Sequence, residues 1–308
     1  MMNRLRNQVV FFALLVLMVF SLVCCQSTKT DQSIGEGYIL EKDIVYGTGG
    51  DVELLLDLAR PDTGKGPFPA LIFLFGGGFA QGNRSKFYFE IRQAAKRGYV
   101  AVAIDYRLTD EKLADGKAKY QFPAQIHDAK CAVRWLRSNA RKYRIDKNHI
   151  GAIGYSSGGY LALMLGLTDS FVGFEGECGN VRVPSRVQAV VNLAGSTDFE
   201  INYRTYPIYM EPLLGGTPDE IPDIYKAASA LAYVSADDPP ILTLCGSWDP
   251  MLEQEELLDD RMKAVGASHT LVVVENASHS MSDLVDLYHD NQDNPVWDFL
   301  DKTLKEVE

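Results

Sequence analysis

Short runs of apolar residues alternate with amphipathic segments along most of this 308-residue chain. "PALIFLF" and "VAVAI" are apolar at every position, which is typical of strands buried on both faces of a sheet. The runs predicted as strands are "DVELLLDLARP", "PALIFLF", "YVAVAIDY", "HIGAIGY", "VQAVVNL", "PILTLCG" and "HTLVVVE".

The segments between these runs have helical spacing. "SKFYFEIRQAAKRG" ends at Gly98, a natural helix stop, and a further helix begins at Pro123. Its apolar stripe consists of Ile126, Ala129, Val133, Leu136 and Ala140. Helices are also predicted over "GGYLALMLGL", "MLEQEELLDDRMKAVG" and around "VWDFLDKTL". This alternation predicts an α/β fold with a mainly parallel central sheet and helices on both faces.

One stretch, residues 197–234, interrupts the alternation. It is rich in tyrosine and proline and is too long for a simple loop, so it predicts a small helical insertion or cap. Tyr203, Tyr206 and Tyr209 could stack against sugar rings, although packing the insertion is their more ordinary use.

The amino terminus has the plan of an export signal. Arg4 and Arg6 precede an apolar run from Val9 to Phe20, which is shorter than the roughly 20 residues of a membrane-spanning helix. "LVCC" resembles a loose bacterial lipobox with Cys25, or less well Cys24, as the lipidated residue. We therefore expect a signal peptide over 1–25, a polar tether over 26–37 and one folded domain over 38–308. The protein would be a membrane-anchored lipoprotein, periplasmic or on the cell surface, or else simply secreted.

The charge of the chain argues against one class of partner, and its cysteines leave the disulfide pairing open. The formal net charge of −11 argues against nucleic acid, because phosphate binding requires a basic face. Beyond the amino-terminal pair, three cysteines remain, namely Cys131, Cys178 and Cys245. An odd number defines no complete set of disulfides, and the spacing leaves open whether Cys131 pairs with Cys178.

The sequence "GYSSG" places Ser156 at the centre of a G-x-S-x-G motif between a predicted strand and a predicted helix. A sharp turn there strains the central residue and exposes its hydroxyl, while Gly154 and Gly158 allow strand and helix to pass closely. We predict Ser156 as a nucleophile. Ser157 would contribute its backbone N–H, at the positive end of the helix, to a developing oxyanion.

A second source of N–H donors lies in "FLFGGGFAQG". Three glycines directly follow a buried strand there, so that bare backbone can approach a ligand. Gly77 and Gly78 are the predicted donors.

A serine nucleophile requires a histidine base and an acid that orients it. His279 follows the last predicted strand, at the carboxyl edge of the sheet, and Asp249 follows the strand before it. Of the other histidines, His269 begins the last strand, whereas His127, His149 and His289 lie on helices or at a strand entrance. The order Ser156, Asp249, His279 is that of α/β-hydrolases.

With these residues placed, the chain resembles an α/β-hydrolase of the carboxylesterase kind, within the bacterial group that includes feruloyl and acetylxylan esterases. The resemblance covers about residues 40–305 and rests on "LLDLARP", "GGGFAQG", "VAIDYRL", "FPAQIHDAKCAVRWLRSNARKYRID", "HIGAIGYSSGG", "LLGGTPDE", "DDPPILTLCGSWDP" and "VVVENASHSM". It implies the α/β-hydrolase strand order with an antiparallel second strand. Phe75 departs from the family's H-G-G-G loop, since it stands where the histidine would.

The resemblance implies that Ser156 is the nucleophile, His279 the base and Asp249 its orienting acid, with Gly77, Gly78 and Ser157 as oxyanion donors. The expected reaction is hydrolysis of short-chain acyl or feruloyl esters, with esters on polysaccharides among the candidates, through an acyl-enzyme and without metal or organic cofactor. The alternatives are a serine peptidase, a lipase, or a non-catalytic lipoprotein that binds a glycan or a protein.

Overall fold

The computed structural model describes residues 30–31, 36–286 and 294–305, and within them nine strands form one sheet. The strands are β1 (Thr30–Asp31), β2 (Tyr38–Gly49), β3 (Val52–Pro61), β4 (Phe68–Leu74), β5 (Val100–Ile104), β6 (Ile145–Tyr155), β7 (Ala189–Leu193), β8 (Ile241–Gly246) and β9 (His269–Val274). The predicted signal peptide with Cys24 and Cys25 lies outside the described residues. Two residues of the predicted tether, Thr30–Asp31, pair with β2.

The strand order is β1-β2-β3-β5-β4-β6-β7-β8-β9. From β5 to β9 every neighbouring pair is parallel, whereas β1, β2 and β3 pair antiparallel and β3 is also antiparallel to β5. Parallel neighbours bring their carboxyl ends to one edge of the sheet, so the loops after β4, β6, β8 and β9 meet there. The expected mainly parallel sheet and antiparallel early strand are confirmed.

Ten α-helices surround the sheet in the described part of the chain, with 3-10 turns at Arg84–Phe87 and Ala230–Tyr233. They are α1 (Tyr88–Lys96), α2 (Ala124–Ser138), α3 (Ala140–Tyr143), α4 (Ser157–Leu167), α5 (Phe199–Thr205), α6 (Pro207–Leu214), α7 (Pro222–Ala228), α8 (Leu252–Val265), α9 (Met281–Leu284) and α10 (Pro295–Leu304). Among these residues, none of the helices combines the length and the apolar character needed to cross a membrane.

Helices cover both faces of the sheet. On β6, a Cβ added at Gly151 would lie 2.9 Å from Leu304 of α10. On the other face, Val190 of β7 packs against Gly166 of α4. Close helix-to-sheet packing buries the central strands completely, and all five residues of β7 are buried. The site loops therefore rise from a rigid base.

The predicted insertion at 197–234 contains α5, α6, α7 and the second 3-10 turn. A disulfide joins Cys131 of α2 to Cys178 in the segment between α4 and β7. It packs directly on the backbone of β2, because a Cβ added at Gly47 would lie 2.1 Å from the Cys178 sulfur. Cys245 is a buried free thiol. The structure thus provides the pairing that the sequence leaves open.

Candidate active site

The turn between β6 and α4 has the strained geometry predicted for it. Ser156 has φ of 55° and ψ of −121°, a region that residues other than glycine rarely adopt. A Cβ added at Gly154 would lie 1.9 Å from the Gly158 carbonyl oxygen, and one at Gly158 would lie 1.9 Å from the Leu74 carbonyl oxygen. Both positions therefore require glycine, as the motif predicts.

The loops after β6, β8 and β9 bring three predicted side chains together. His279 Nε2 lies 2.9 Å from Ser156 Oγ. His279 Nδ1 lies 2.8 Å from Asp249 Oδ2 and 3.0 Å from Asp249 Oδ1. The result is a continuous hydrogen-bonded chain from a hydroxyl through an imidazole to a carboxylate.

The carboxylate of Asp249 sets the direction of these hydrogen bonds. It is buried and accepts the backbone N–H of Met251 at 2.9 Å, so its orientation is fixed from within its own loop. An ionised carboxylate only accepts hydrogen bonds, and so His279 Nδ1 must donate to it. His279 Nε2 is then free to accept the Ser156 proton.

A second carboxyl group, that of Glu255 on α8, is fully buried behind Asp249. Burial raises its pKa well above the usual range, and the charge of Asp249 raises it further, against the opposing effect of the Asn192 amide. That amide donates to both Glu255 oxygens at 2.8 Å. Burial therefore favours the neutral form of Glu255.

The other described histidines lie elsewhere. His269, at the opposite end of β9, lies 2.9 Å from Asp259 and 2.9 Å from Thr243. His149 is 2.9 Å from Asp146. His127 is on α2, beside Gly176, while His289 falls outside the described residues. Of these candidates, the geometry therefore favours His279.

The glycine loop after β4 lies against the nucleophile. A Cβ added at Gly76 would be 2.7 Å from the Tyr155 carbonyl oxygen and 3.0 Å from Ser156 Cβ. Gly77 and Gly78 follow with φ of 150° and 61°, in the region that favours glycine, and both line the cavity above Ser156. Ser157, the first residue of α4, also lines this cavity.

Phe75 holds this loop in a way that the sequence did not reveal. Its ring stacks on Tyr106, with centroids 4.2 Å apart and planes 11° from parallel. The Tyr106 hydroxyl donates to the Phe75 carbonyl at 2.7 Å and lies 3.4 Å from Ser157 Oγ. A Cβ added at Gly82 would be 2.7 Å from the Phe75 ring. An apolar stack therefore occupies the position where the family's motif has histidine.

Tyr155, the variable residue of the serine motif, holds the histidine loop. Its hydroxyl donates to the His279 carbonyl at 2.9 Å, and the two rings lie 5.3 Å apart at 31°. Burial raises the pKa of Tyr155 to about 12, so the hydroxyl keeps its proton at neutral pH. Sequence reasoning missed this residue because its partner is distant in the chain.

A cavity of about 250 Å³ opens above Ser156. The insertion forms one wall, and the Tyr209 ring lies on the glycine loop, 2.6 Å from a Cβ added at Gly78. Tyr206 also lines the cavity, whereas Tyr203 donates to Glu211 within the insertion. Further lining comes from Phe79, Gln81, Lys86, Ser196, Asn202, Met210 and Met251. Two of the three tyrosines singled out in the sequence thus reach the cavity.

The sequence profile of the BD-FAE family matches residues 56–262, which is most of the folded region. The chain belongs to the BD-FAE family. Its α/β-hydrolase fold is shared with a solved structure described as a truncated carbohydrate esterase from gut microbiota. That structure has a TM-score of 0.71 and 27% identity, over 82% of this chain and 94% of the other.

Two further proteins are similar to this BD-FAE member. Esterase 2 of Thermogutta terrifontis, in a structure described as phosphorylated by paraoxon, has a TM-score of 0.65 and 26% identity over 79% of this chain and 84% of its own. Esterase LipC of Mycobacterium tuberculosis is 31% identical over 75% of this chain and 57% of LipC. The chain therefore spans little more than half the length of that curated relative.

Proposed function

We propose that this protein is a serine carboxylesterase. The observation that carries the proposal is the hydrogen-bonded chain from Ser156 through His279 to Asp249, of which Ser156 and His279 line the cavity. The names of the relatives agree with this chemistry, since LipC and the two solved structures are called esterases.

In the first step, Ser156 Oγ attacks the ester carbonyl carbon while His279 Nε2 takes its proton. The N–H groups of Gly77, Gly78 and Ser157 would stabilise the negative charge on the carbonyl oxygen. The carbon–oxygen bond to the alcohol then breaks, and His279 returns the proton to the departing alkoxide. His279 then takes a proton from water, which attacks the acyl carbon; the bond to Ser156 Oγ breaks, His279 returns the proton to Oγ, and the acid is released. These steps use only groups of this chain, the ester and water.

The proposed substrates are short-chain acyl or feruloyl esters, including those on polysaccharides. A cavity of about 250 Å³ suits an acyl group of modest size. The similarity to a protein described as a carbohydrate esterase supports an ester of a sugar. Tyr206 and Tyr209 supply aromatic surface in the same cavity.

We also propose that the protein is exported and anchored by a lipid at Cys25, or at Cys24. The disulfide between Cys131 and Cys178 supports export, because structural disulfides form and persist in oxidising compartments. Mass spectrometry of the membrane fraction tests this proposal, since a Cys25→Ala variant should lose the lipid mass and leave the membrane.

The adjacent serines provide the test of activity. Full-length wild-type, Ser156→Ala and Ser157→Ala proteins are compared on p-nitrophenyl acetate, butyrate and octanoate, methyl ferulate and acetylated xylan. Ser156→Ala should lower kcat by about 10⁴-fold or more, whereas Ser157→Ala keeps the backbone N–H and should retain most of the activity.

Equal activity of folded wild-type and Ser156→Ala proteins would contradict the proposal. Absence of turnover by folded wild-type protein on every ester would favour a peptidase or a binding protein. A strong preference for octanoate would favour a lipase.

A further inference from the structure

Asn202 is a polar residue in a mostly apolar wall of the cavity. It lies on α5, within the insertion, and is only 3% exposed, yet it lines the cavity above Ser156. Met210 and Met251 flank the same space. A buried carboxamide in such surroundings stabilises the fold only if its hydrogen bonds are made.

The carboxamide of Asn202 lacks good partners in the part of the chain that the structure describes. Its Oδ1 atom makes no hydrogen bond there, and its Nδ2 atom donates to the Met210 thioether at 3.2 Å. A thioether sulfur is a weak acceptor. The amide therefore retains hydrogen-bonding capacity that a bound molecule could satisfy.

A hydroxyl group matches this capacity, because it can donate to Oδ1 or accept from Nδ2. We propose that Asn202 determines specificity by binding a hydroxyl group of the ester substrate inside the cavity. The inference rests on the proposed esterase function, since the molecule bound is the substrate of that reaction. It applies to a hydroxyl on the acyl group and to one on the alcohol, such as a sugar hydroxyl.

Asn202 makes hydrogen bonds to other residues that line the cavity. Met210, its thioether partner, directly follows Tyr209 on α6, and the Tyr209 ring covers Gly78. Asn202 also accepts the backbone N–H of Tyr206, a neighbour of the His279 ring, through its own carbonyl at 2.9 Å. A substrate held by the carboxamide would therefore lie between the insertion and the glycine loop.

Matched pairs of esters test the proposal on full-length protein. Methyl 4-hydroxycinnamate is compared with methyl cinnamate for the acyl side, and trans-2-hydroxycyclohexyl acetate with cyclohexyl acetate for the alcohol side. Wild type should favour the hydroxylated ester of one pair by about 10-fold or more in kcat/KM. The pair that shows the preference identifies which side of the ester carries the hydroxyl.

In Asn202→Leu, which keeps the approximate volume, this preference should fall to within about 2-fold, through loss of activity on the hydroxylated ester alone. Asn148→Leu, at an exposed position of β6 whose backbone N–H donates to Asp146 Oδ1, is the matched control and should keep the wild-type preference. If Asn202→Leu fails to fold, Asn202→Ala takes its place.

Two outcomes would overturn this inference and leave the proposed esterase function intact. In the first, the wild-type protein shows no preference for the hydroxylated ester in either pair. In the second, the preference persists in the folded Asn202 variant. Turnover of p-nitrophenyl acetate that depends on Ser156 would show in both cases that the esterase proposal stands. If that turnover is absent, the proposed function fails and this inference fails with it.

Discussion

Among the described residues, two hydrogen-bonded chains of side-chain groups each run from a hydroxyl through a histidine to an aspartate. In the first, His279 lies 2.9 Å from Ser156 Oγ and 2.8 Å from Asp249. In the second, His269 lies 2.9 Å from Thr243 Oγ1 and 2.9 Å from Asp259. By distance alone, the two cannot be told apart.

Their surroundings differ. The side chain of His279 is 23% exposed, whereas that of His269 is 0% exposed. Ser156 sits on a strained turn beside a cavity and a glycine loop, while Thr243 lies inside a buried strand and also accepts the Asn192 amide at 3.3 Å. A substrate can reach the first hydroxyl but not the second.

The comparison teaches that the hydrogen-bonded chain is not sufficient for catalysis. A nucleophile also needs access, donors for the oxyanion and room for the ester. We interpret the His269 chain as structural, because it joins β8 and α8 to the start of β9 in the interior. The same substitution should therefore lower activity strongly at Asp249 and hardly at all at Asp259.

Asp249→Asn should lower kcat on p-nitrophenyl acetate by about 10⁴-fold, because an amide holds the His279 ring in the wrong tautomer. Asp259→Asn should change kcat by less than about 3-fold, since its histidine does not meet the substrate. Steady-state kinetics of the two variants, with circular dichroism as the check on folding, measure the difference. Comparable losses of kcat in the two variants would mean that the hydrogen-bonded chain at His269 supports the one at His279.

His269→Ala should lower the free energy of unfolding by about 2 kcal/mol, because Thr243 and Asp259 lose a buried hydrogen-bonding partner. His149→Ala serves as the control, since its ion pair with Asp146 is partly exposed, and should cost less than about 1 kcal/mol. Urea unfolding at pH 7.5 gives both values. Equal stability of His269→Ala and wild type would refute the structural interpretation.

The same variant should change the pH dependence of stability. Burial lowers the pKa of His269, against the opposing effect of Asp259, so this ring binds a proton less readily in the folded protein than in the unfolded chain. In the unfolded chain histidine titrates near about 6.5, and stability is therefore lost as the pH falls below that value. His269→Ala should weaken this dependence, and His127, whose pKa burial also lowers, should preserve part of it.

The sequence predicted the features that local chemistry determines. Gly154 and Gly158 must be glycine because side chains there would collide with the backbone of Gly158 or of the adjacent strand β4. The short motif around Ser156 therefore includes both glycines. The buried strands appear as apolar runs. By contrast, β2 mixes polar and apolar residues and has two register shifts against β3, so it gave no clear pattern.

Apart from Ser156, Asp249 and His279, whose motif and positions after predicted strands identified them, the sequence did not predict contacts between residues distant in the chain. Tyr155 meets His279 across 124 positions, and Tyr106 meets Phe75 across 31. The disulfide spans 47 positions. Asn202 is notable only because it is buried beside a cavity that the fold creates. Such roles arise from tertiary packing, which residue type and spacing do not specify.

The smallest expected effect concerns how each histidine is held. His269 belongs to a strand, whereas His279 lies on a loop that the Tyr155 hydroxyl ties down through the His279 carbonyl. Tyr155→Phe removes that hydrogen bond but keeps the ring contact, and it should lower kcat by about 3- to 10-fold with little change in KM. Tyr233→Phe, which removes a hydroxyl bonded to the Ala227 carbonyl within the insertion, is the matched control and should leave kcat within about 2-fold of wild type. If Tyr155→Phe instead matched wild type, the packing of the Tyr155 ring alone would hold the His279 loop.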